Sequence, residues 1–363
     1  MHMKQKKSGA KLIRSNAITY GIVVAAFIFI QILDGTGNLT SSLRGQLVPI
    51  CAYVVMGISL NLTVGILGEL SLGHAGFMSL GAFSGVVVSI AFKGQIPSDP
   101  LRLALSMVIG AVIAAVFGFV VGVPALRLRG DYLAIVTLAF GEIIKNVINT
   151  VYVGIGENGL RFTMADQASL NLGESGTMIM QGPMGAVGIS KLSTFTAGFI
   201  LILVTLFIVL NLIHSRSGRA IMAVRDNRIA AESVGISITR YKLTAFIISA
   251  ALAGAAGALY ALNYSTVVAR KFDFNTSIMV LVFVVLGGIG NIRGSIIAAA
   301  VLTILPELLR AFNDYRMLAY AIILILIMLT SNNEQLKQLI QRAFGFIRRN
   351  KPGQQQDEGA SNA

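Results

Sequence analysis

The chain has 363 residues, of which 55% are hydrophobic and 12% are charged, and its formal net charge is +13. Soluble domains carry about 25% charged residues, so the composition excludes an ordinary soluble protein and is typical of a polytopic membrane protein. The single Cys51 and three histidines exclude an internal disulfide and a cysteine or histidine cluster, and no metal site is predicted.

Apolar segments dominate the chain from residue 17 onwards. A helix needs about 20 mostly apolar residues to cross the hydrocarbon layer of a membrane. We therefore predict an all-α membrane protein with about ten transmembrane segments, in a range of about eight to ten. The segments are 17–33, 47–67, 74–92, 101–124, 131–151, 193–214, 241–262, 276–290, 294–312 and 316–331. The last three segments are separated by only a few residues, and the GGIG sequence of 287–290 either connects two spans or breaks a re-entrant pair.

Both ends of the chain differ from this transmembrane domain, residues 17–331. Residues 1–16 are basic and precede the first span without an A-x-A cleavage site, which predicts an uncleaved span. The polar tail 332–363 is compositionally disordered in part. With both termini in the cytoplasm, 19 of the 29 Lys and Arg face the cytoplasm and nine lie outside, as the positive-inside rule requires. The net charge then faces anionic lipid, and no nucleic-acid partner is predicted because stacking aromatics do not accompany the basic residues.

The long loop 152–192 is predicted to be extracytoplasmic. It is rich in Gly, Asn and Ser and exceeds the length that a plain connection needs. It either holds a small helix or hairpin that docks an external partner, or it is a flexible connector.

Charged and amide side chains interrupt one predicted span at Glu142, Lys145 and Asn146. Glu142 and Lys145 are three residues apart and therefore share one helix face. This face either lines a translocation pathway, or the two charges neutralise each other and join two helices, since a charge in the membrane is costly.

Glycines 65, 68, 73 and 76 interrupt a second apolar stretch, together with Asn61, Glu69 and His74. Irregular backbone at membrane depth is tolerated only where it is buried in protein or lines a cavity. The stretch is either a broken helix near a pathway or a tight turn at the cytoplasmic face, so its polar residues are pathway candidates.

The cytoplasmic loop 215–240 is basic and contains good helix formers. It predicts two short helices with a turn at 225–227, in which Asp226 or Asn227 caps the second helix. Gly235 suits the left-handed position that ends a helix. The predicted apolar side consists of Ile221, Val224, Ile229 and Ala230, and the polar side of Arg219, Arg225, Arg228 and Glu232. Such a slim amphipathic hairpin suits the groove of a partner better than a lipid surface.

Catalytic motifs are missing from the sequence. It contains no G-x-x-x-x-G-K-[ST], H-E-x-x-H or G-x-S-x-G. We therefore predict that the chain is not an enzyme and has no ATP site or other cofactor of its own.

The loop resembles the coupling loop of bacterial ABC importer permeases, whose loose signature is E-A-A-x-x-x-G. Residues 229–235 keep both alanines and the glycine, with Ile229 in place of Glu. The longer string RAIMAVRDNRIAAESVGISITRYKLTAFIISAALAGAAGALYA is similar to the branched-chain amino acid permease family, LivM type. Further stretches agree in the same order: LNLTVGILGELSLGHAGFMSLGAFSG, LRGDYLAIVTLAFGEIIKNV and VVLGGIGNIRGSIIAA. Together the similarity runs from about residue 60 to 300, and the tail departs from the family's pattern.

The resemblance implies a permease subunit of an importer for Leu, Ile or Val in the bacterial cytoplasmic membrane, although related permeases carry urea, amides or other amino acids. It implies a LivH-like second permease, two cytoplasmic ABC ATPase subunits that use ATP and Mg²⁺, and an extracytoplasmic substrate-binding protein. The coupling residues would be Gly218, Arg219, Arg225, Asp226, Ala230, Ala231, Glu232 and Gly235. The alternative is a self-sufficient secondary transporter or channel for a small polar solute, for which mid-membrane charges are typical.

Overall fold

The computed structural model of the protein consists mainly of helices. It describes residues 2–37, 39–128, 130–156, 159–170, 172, 176–310, 315, 318–322 and 324–325, without the side chains of 2–15. Residues 308–363 belong to a second compact unit, of which only helical pieces such as 318–322 are described.

Eleven helices lie in the described part of the first unit or end at its boundary. They are α1 (His2–Gly35), α2 (Ser41–Asn61), α3 (His74–Ala91), α4 (Asp99–Ala125), α5 (Asp131–Thr150), α6 (Phe195–His214), α7 (Arg216–Asp226), α8 (Arg228–Ser233), α9 (Ile238–Ala261), α10 (Phe274–Gly287) and α11 (Ile292–Leu308). Seven of the described helices, α1 to α6 and α9, are long and apolar enough to cross a membrane. These seven match the first seven predicted spans.

The last three predicted spans have a different outcome. Helices α10 and α11 are found where two of them were expected, but they have only 14 and 17 residues. The GGIG sequence of 287–290 is the connection between these two helices. Most of the tenth segment, 316–331, lies outside the described residues, so the count of ten spans stays a prediction.

Helix α9 is packed along α3 and α4 through small residues. A Cβ added at Gly81 would overlap the backbone of Gly254, and one at Gly118 would lie 2.7 Å from the Cβ of Ala250. The glycines therefore permit backbone approaches that any side chain would prevent, as small residues do in packed membrane helices.

The prediction of an all-α fold is wrong for the connection between α5 and α6. Three strands form there, β1 (Tyr152–Gly156), β2 (Gly159–Thr163) and β3 (Thr177–Gln181), followed by the short β4 (Ala186–Val187). They join β5 (Thr266–Val267), which follows α9, in an antiparallel sheet of order β2-β1-β3-β4-β5. The loop therefore contains the predicted hairpin, formed by β1 and β2, and it extends this hairpin into a sheet with a strand from a distant part of the chain.

Helix α2 does not end in an ordinary turn. It continues into a π-helical segment, Leu62–Leu67, which Gly68 closes with φ +79°. Residues 69–73 are non-helical, and α3 then begins at His74. We call residues 62–73 the helix break.

The helix break re-enters the helix bundle. Next to Gly68, Glu69 pairs with Lys242 near the start of α9. His74 instead bonds Ser59, whose carbonyl oxygen accepts from Ser249 in the middle of α9. Between Glu69, which is next to Lys242, and His74, which is next to the Ser249 level, the chain therefore moves along α9 by about two helical turns, or about 10 Å. The structure therefore places an interrupted helix here rather than a simple turn at the bundle end.

Candidate coupling and pathway site

The loop between α6 and α9 folds as the two short helices that its sequence predicts. Ser215 caps α7 by accepting a hydrogen bond from the backbone N–H of Gly218 at 3.0 Å. Asn227 caps α8 by accepting one from the N–H of Ala230 at 3.0 Å. Gly235 follows α8 with φ +83°, a conformation that glycine adopts at no steric cost. We call this hairpin, residues 215–235, the docking hairpin.

The predicted apolar side of the docking hairpin is divided between buried and exposed residues. Ile221 is fully buried against the helix break, and Val224 is buried with Ala231. Ile229 and Ala230 are exposed, so their role in contacting a partner stays a prediction. Helix α8 turns Ala231 toward α9, so the residues just before it face outward. Ile229 is 82% exposed, and Val234 beyond α8 is 74% exposed.

The hairpin's first helix is fixed to the end of α6. A Cβ at Gly218 would overlap the carbonyl oxygens of the last turn of α6. Arg219 donates from Nη1 to the carbonyl oxygen of His214 at 3.0 Å. Helix α7 is thereby held against the end of a helix that is long enough to span the membrane.

Arg225 connects the hairpin to the helix break. Its Nη1 donates to the carbonyl oxygen of Gly65 at 2.9 Å, and its Nε and Nη2 donate to Asp226 Oδ1 at 3.0 and 2.8 Å. The aliphatic part of Arg225 lies against Gly68, where a Cβ would come within 2.5 Å of its Cγ. Asp226 is exposed and holds the guanidinium in place, while Glu232 on α8 is exposed.

Two further polar contacts hold the helix break from its other sides. Glu69 forms an ion pair with Lys242 of α9, and both side chains are nearly buried. Asn61 is completely buried and accepts from the N–H of Gly290 at 2.9 Å, while its Nδ2 donates to Ser295 Oγ at 2.8 Å. Asn61 thereby fixes the break to the connection between α10 and α11.

These contacts form one connected site, which we call the coupling junction. It consists of Asn61, Gly65, Glu69, Arg225 and Lys242. The sequence singles out three of the five as site residues, but Lys242 and the partners of Asn61 are missed. Only the ionisable character of Lys242 at a span's start signals its role.

The remaining pathway candidates do not join the coupling junction. His74 is buried, and its Nε2 lies 2.8 Å from Ser59 Oγ. Glu142 and Lys145 bind each other on α5 and are half-buried, while Asn146 beside them is exposed. The pair lies within one helix and, in the described part of the chain, bonds no second one. Glu142 lines a crevice shared with the starts of α3 and α10.

Metal binding finds no support in the described residues. Among them, no group of three or more His, Cys, Asp or Glu side chains could hold a metal ion. The contacts of the coupling junction connect the exposed hairpin and the helix break to α2, α9 and α11.

Seven span-length helices, with an exposed hairpin fixed to an interrupted helix, define a multi-pass membrane protein. The chain belongs to the family described as the permease component of branched-chain amino acid transport systems, which it matches over residues 42–331.

Individual relatives agree with the family. The chain is 36% identical over 291 residues to the high-affinity branched-chain amino acid transport system permease protein LivM of Salmonella typhimurium LT2 and to that of Escherichia coli K12. Each match covers 76% of this chain and 66% of the relative, so the chain spans just under two thirds of the LivM length. It is also 24% identical over 280 residues to LivH of E. coli K12, covering 76% of this chain and 88% of that one. No solved structure gives a significant match.

Proposed function

We propose that the chain is a permease subunit of an ATP-driven importer that moves branched-chain amino acids across the bacterial cytoplasmic membrane. The observation that carries the proposal is the Arg225 contact with Gly65, which joins a hairpin of the ABC coupling type to an interrupted helix. The names of the LivM and LivH relatives support the cargo.

The proposed energy source is a pair of cytoplasmic ATPase subunits that use ATP and Mg²⁺. Ile229 and Val234 form an exposed apolar tip on the docking hairpin, with the charged Glu232 between them in sequence. Exposed aliphatic side chains on a structured protrusion are typical of a docking site. A groove on the ATPase would cover this tip, and closure of the ATPase dimer would push the hairpin.

The transmission follows from rigid contacts. Helix α7 is packed on α6 through Gly218, and Arg225 holds the helix break. Helix α8 is packed on the start of α9 through Ala231 and Ile238. A push on the hairpin would therefore shift α6, α9 and the break together. An equilibrium between outward-open and inward-open states changes only if the ATPase contacts differ between them.

The second permease subunit is proposed to be a LivH-like protein, and an extracytoplasmic binding protein is proposed to deliver the cargo. The similarity to both LivM and LivH is what two related halves of one pore would produce. The five-stranded sheet is the proposed docking face for the binding protein. Its outer strand β2 presents Leu160 and Phe162, which are 51% and 75% exposed.

Reconstitution in vesicles tests the proposal. The chain is purified with a LivH-like permease, the two ATPases and a leucine-loaded binding protein, and radiolabelled leucine uptake is measured with and without ATP. Uptake that requires ATP and every component is expected. Uptake by the chain alone, driven by an ion gradient, would overturn the proposal in favour of a secondary transporter.

The docking tip has its own variant pair. Ile229→Asp should abolish co-purification of the ATPases because it places a charge in an apolar groove. Ile229→Leu, which keeps the apolar contact, should retain it. Equal ATPase recovery with both variants would contradict docking at this tip.

A further inference from the structure

The ion pair of α5 has an unusual position for two charges. Helix α5 is long and apolar enough to span the membrane. Glu142 lies eleven residues after Asp131, or about 16 Å along the axis, which is close to half of the about 30 Å hydrocarbon thickness. The pair therefore lies near the middle of the span.

This pair is not sealed inside the chain. The side chains of Glu142 and Lys145 are 36% and 19% exposed, whereas those of Glu69 and Lys242 are 13% and 8% exposed. A charge exposed to hydrocarbon costs about 2.5–3.5 kcal/mol on insertion scales. Pairing lowers this cost, and the open face of the pair is more stable against water or another polar surface than against lipid.

Polar groups continue along the same face of α5. Asn146 is exposed one turn beyond Glu142. Asn149 follows, and its buried Oδ1 has no hydrogen-bond partner among the described residues. The neighbouring Ile143, by contrast, has an apolar side chain that is 54% exposed and suits contact with lipid. A polar stripe beside an apolar one is the pattern of a helix between lipid and a wet pathway.

A crevice lies beside the carboxylate of Glu142. The crevice is narrow and is bounded by close contact between α3 and α5, since a Cβ on Gly76 would lie 2.9 Å from the Cα of Gly141. Leu138 and Phe274 line it with apolar side chains, and Lys145 lies outside this lining, paired with Glu142. The carboxylate, the ammonium group and the neighbouring apolar side chains are the three kinds of contact that an aliphatic amino acid needs.

We infer that Glu142 and Lys145 form a transient binding site for the charged head group of the cargo. The Glu142 carboxylate receives the α-ammonium group, and the Lys145 ammonium group receives the α-carboxylate. One internal ion pair is thereby exchanged for two ion pairs with the cargo. No charge is left uncompensated away from bulk water, which would be the costly state. This inference rests on the proposed function, because it assigns the contact that passing amino acids make.

The site contacts the α-ammonium and α-carboxylate groups, which all amino acids share. It predicts that the transmembrane pathway recognises the head group and tolerates different aliphatic side chains. Selection among Leu, Ile and Val would then occur before the cargo reaches α5.

Cysteine accessibility tests the inference without breaking the ion pair. The native chain has one cysteine, Cys51, which is buried. Leu138→Cys and Asn146→Cys place a thiol one turn to either side of Glu142, and Ile143→Cys is the matched control on the lipid side. The full complex in vesicles is treated with a charged, membrane-impermeant methanethiosulfonate reagent.

The first two positions should react about tenfold faster than the control, because a thiol in an apolar environment seldom ionises. Transported leucine should slow the labelling of both positions severalfold. Equal rates at all three positions, or rates that leucine does not change, would overturn the inference and leave the pair a structural element.

Neutral variants give a second readout. Glu142→Gln and Lys145→Met should each lower uptake by about tenfold, as expected for loss of one desolvated ion pair. Co-purification of the second permease and the two ATPases should match that of wild type, because the coupling junction and the docking hairpin are intact. Normal uptake by both variants would overturn the inference. Failure of the unmodified complex to take up leucine would instead overturn the proposed function.

Discussion

The guanidinium group of Arg225 lies 2.9 Å from the carbonyl oxygen of Gly65, across 160 positions of the sequence. Gly65 belongs to a π-helical segment, and such irregular turns are frequent at functional sites. The docking hairpin thus contacts the helix bundle at the point where a span-length helix is interrupted.

Replacing Arg225 should weaken coupling more than folding. Arg225→Ala removes a partly exposed charged hydrogen bond, for which about 1 kcal/mol is a reasonable magnitude. This corresponds to about a fivefold drop in uptake for each ATP hydrolysed. Arg228→Ala is the control, because this arginine makes no contact with the helix break among the described residues. The ratio of leucine uptake to phosphate release is measured in vesicles for both variants. Equal ratios for Arg225→Ala and Arg228→Ala would refute the role of Arg225.

The end of α8 should be equally sensitive. Gly235→Pro is incompatible with the positive φ of this position, and it removes an N–H that donates to the Glu232 carbonyl at 3.0 Å. Ala231→Asp places a carboxylate between Val224 and Ile238. Both variants should insert into the membrane but hydrolyse ATP without uptake. Ala231→Gly, which brings no charge between Val224 and Ile238, is the control for Ala231→Asp. Normal uptake by both variants in an assembled complex would contradict the coupling role.

The capping pattern of this hairpin was predictable from sequence because it depends on local chemistry. Asn227 accepts from an N–H three residues ahead, and Gly235 adopts a conformation that few other residues tolerate. Which apolar residue of α8 turns inward was not predictable, since the burial of Ala231 depends on where α9 lies. The choice of inward face for a six-residue helix is made by its neighbours.

The sheet also depends on contacts between residues far apart in the chain, which the sequence alone does not predict. Strands β4 and β5 have two residues each and pair through Ala186 and Val267. Two residues are too few to give an alternating pattern. Likewise, the re-entry of the helix break depends on Glu69 meeting Lys242 and on His74 meeting Ser59. The glycines indicated irregular backbone, but only these distant partners determine where it goes.

The ion pair of Glu69 and Lys242 predicts a strong asymmetry between single and double variants. Glu69→Gln leaves the buried Lys242 ammonium group unpaired, and breaking a buried pair costs about 3–5 kcal/mol. Replacing both residues, as in Glu69→Leu with Lys242→Met, should restore stability to within about 1 kcal/mol, because it removes both charges. Thermal unfolding of the purified chain can be followed by dye labelling of the buried Cys51. A double variant that is less stable than Glu69→Gln would contradict the prediction.

Close helix packing predicts opposite effects for two glycines. Gly81→Ala should be strongly destabilising, because the new Cβ would overlap the Gly254 backbone, and overpacking costs about 1–3 kcal/mol. Gly21→Ala, in α1, has nothing within 4 Å of the added Cβ and should stabilise the helix by up to about 1 kcal/mol. The same dye-based unfolding measurement compares them. Equal unfolding temperatures would show that α3 and α9 are packed less closely than the structure indicates.

Asn61 is predicted to be important for both stability and transport, because it satisfies two groups at once. Asn61→Leu leaves the N–H of Gly290 without its acceptor and Ser295 Oγ without its donor. An unsatisfied buried donor costs about 1–3 kcal/mol, and the connection between α10 and α11 would lose its attachment to the helix break. Ser295→Ala removes only one of the two bonds and should have about half the effect on unfolding. If Asn61→Leu and Ser295→Ala destabilise the chain equally, the bond to Gly290 contributes nothing, and the break is held by Ser295 alone.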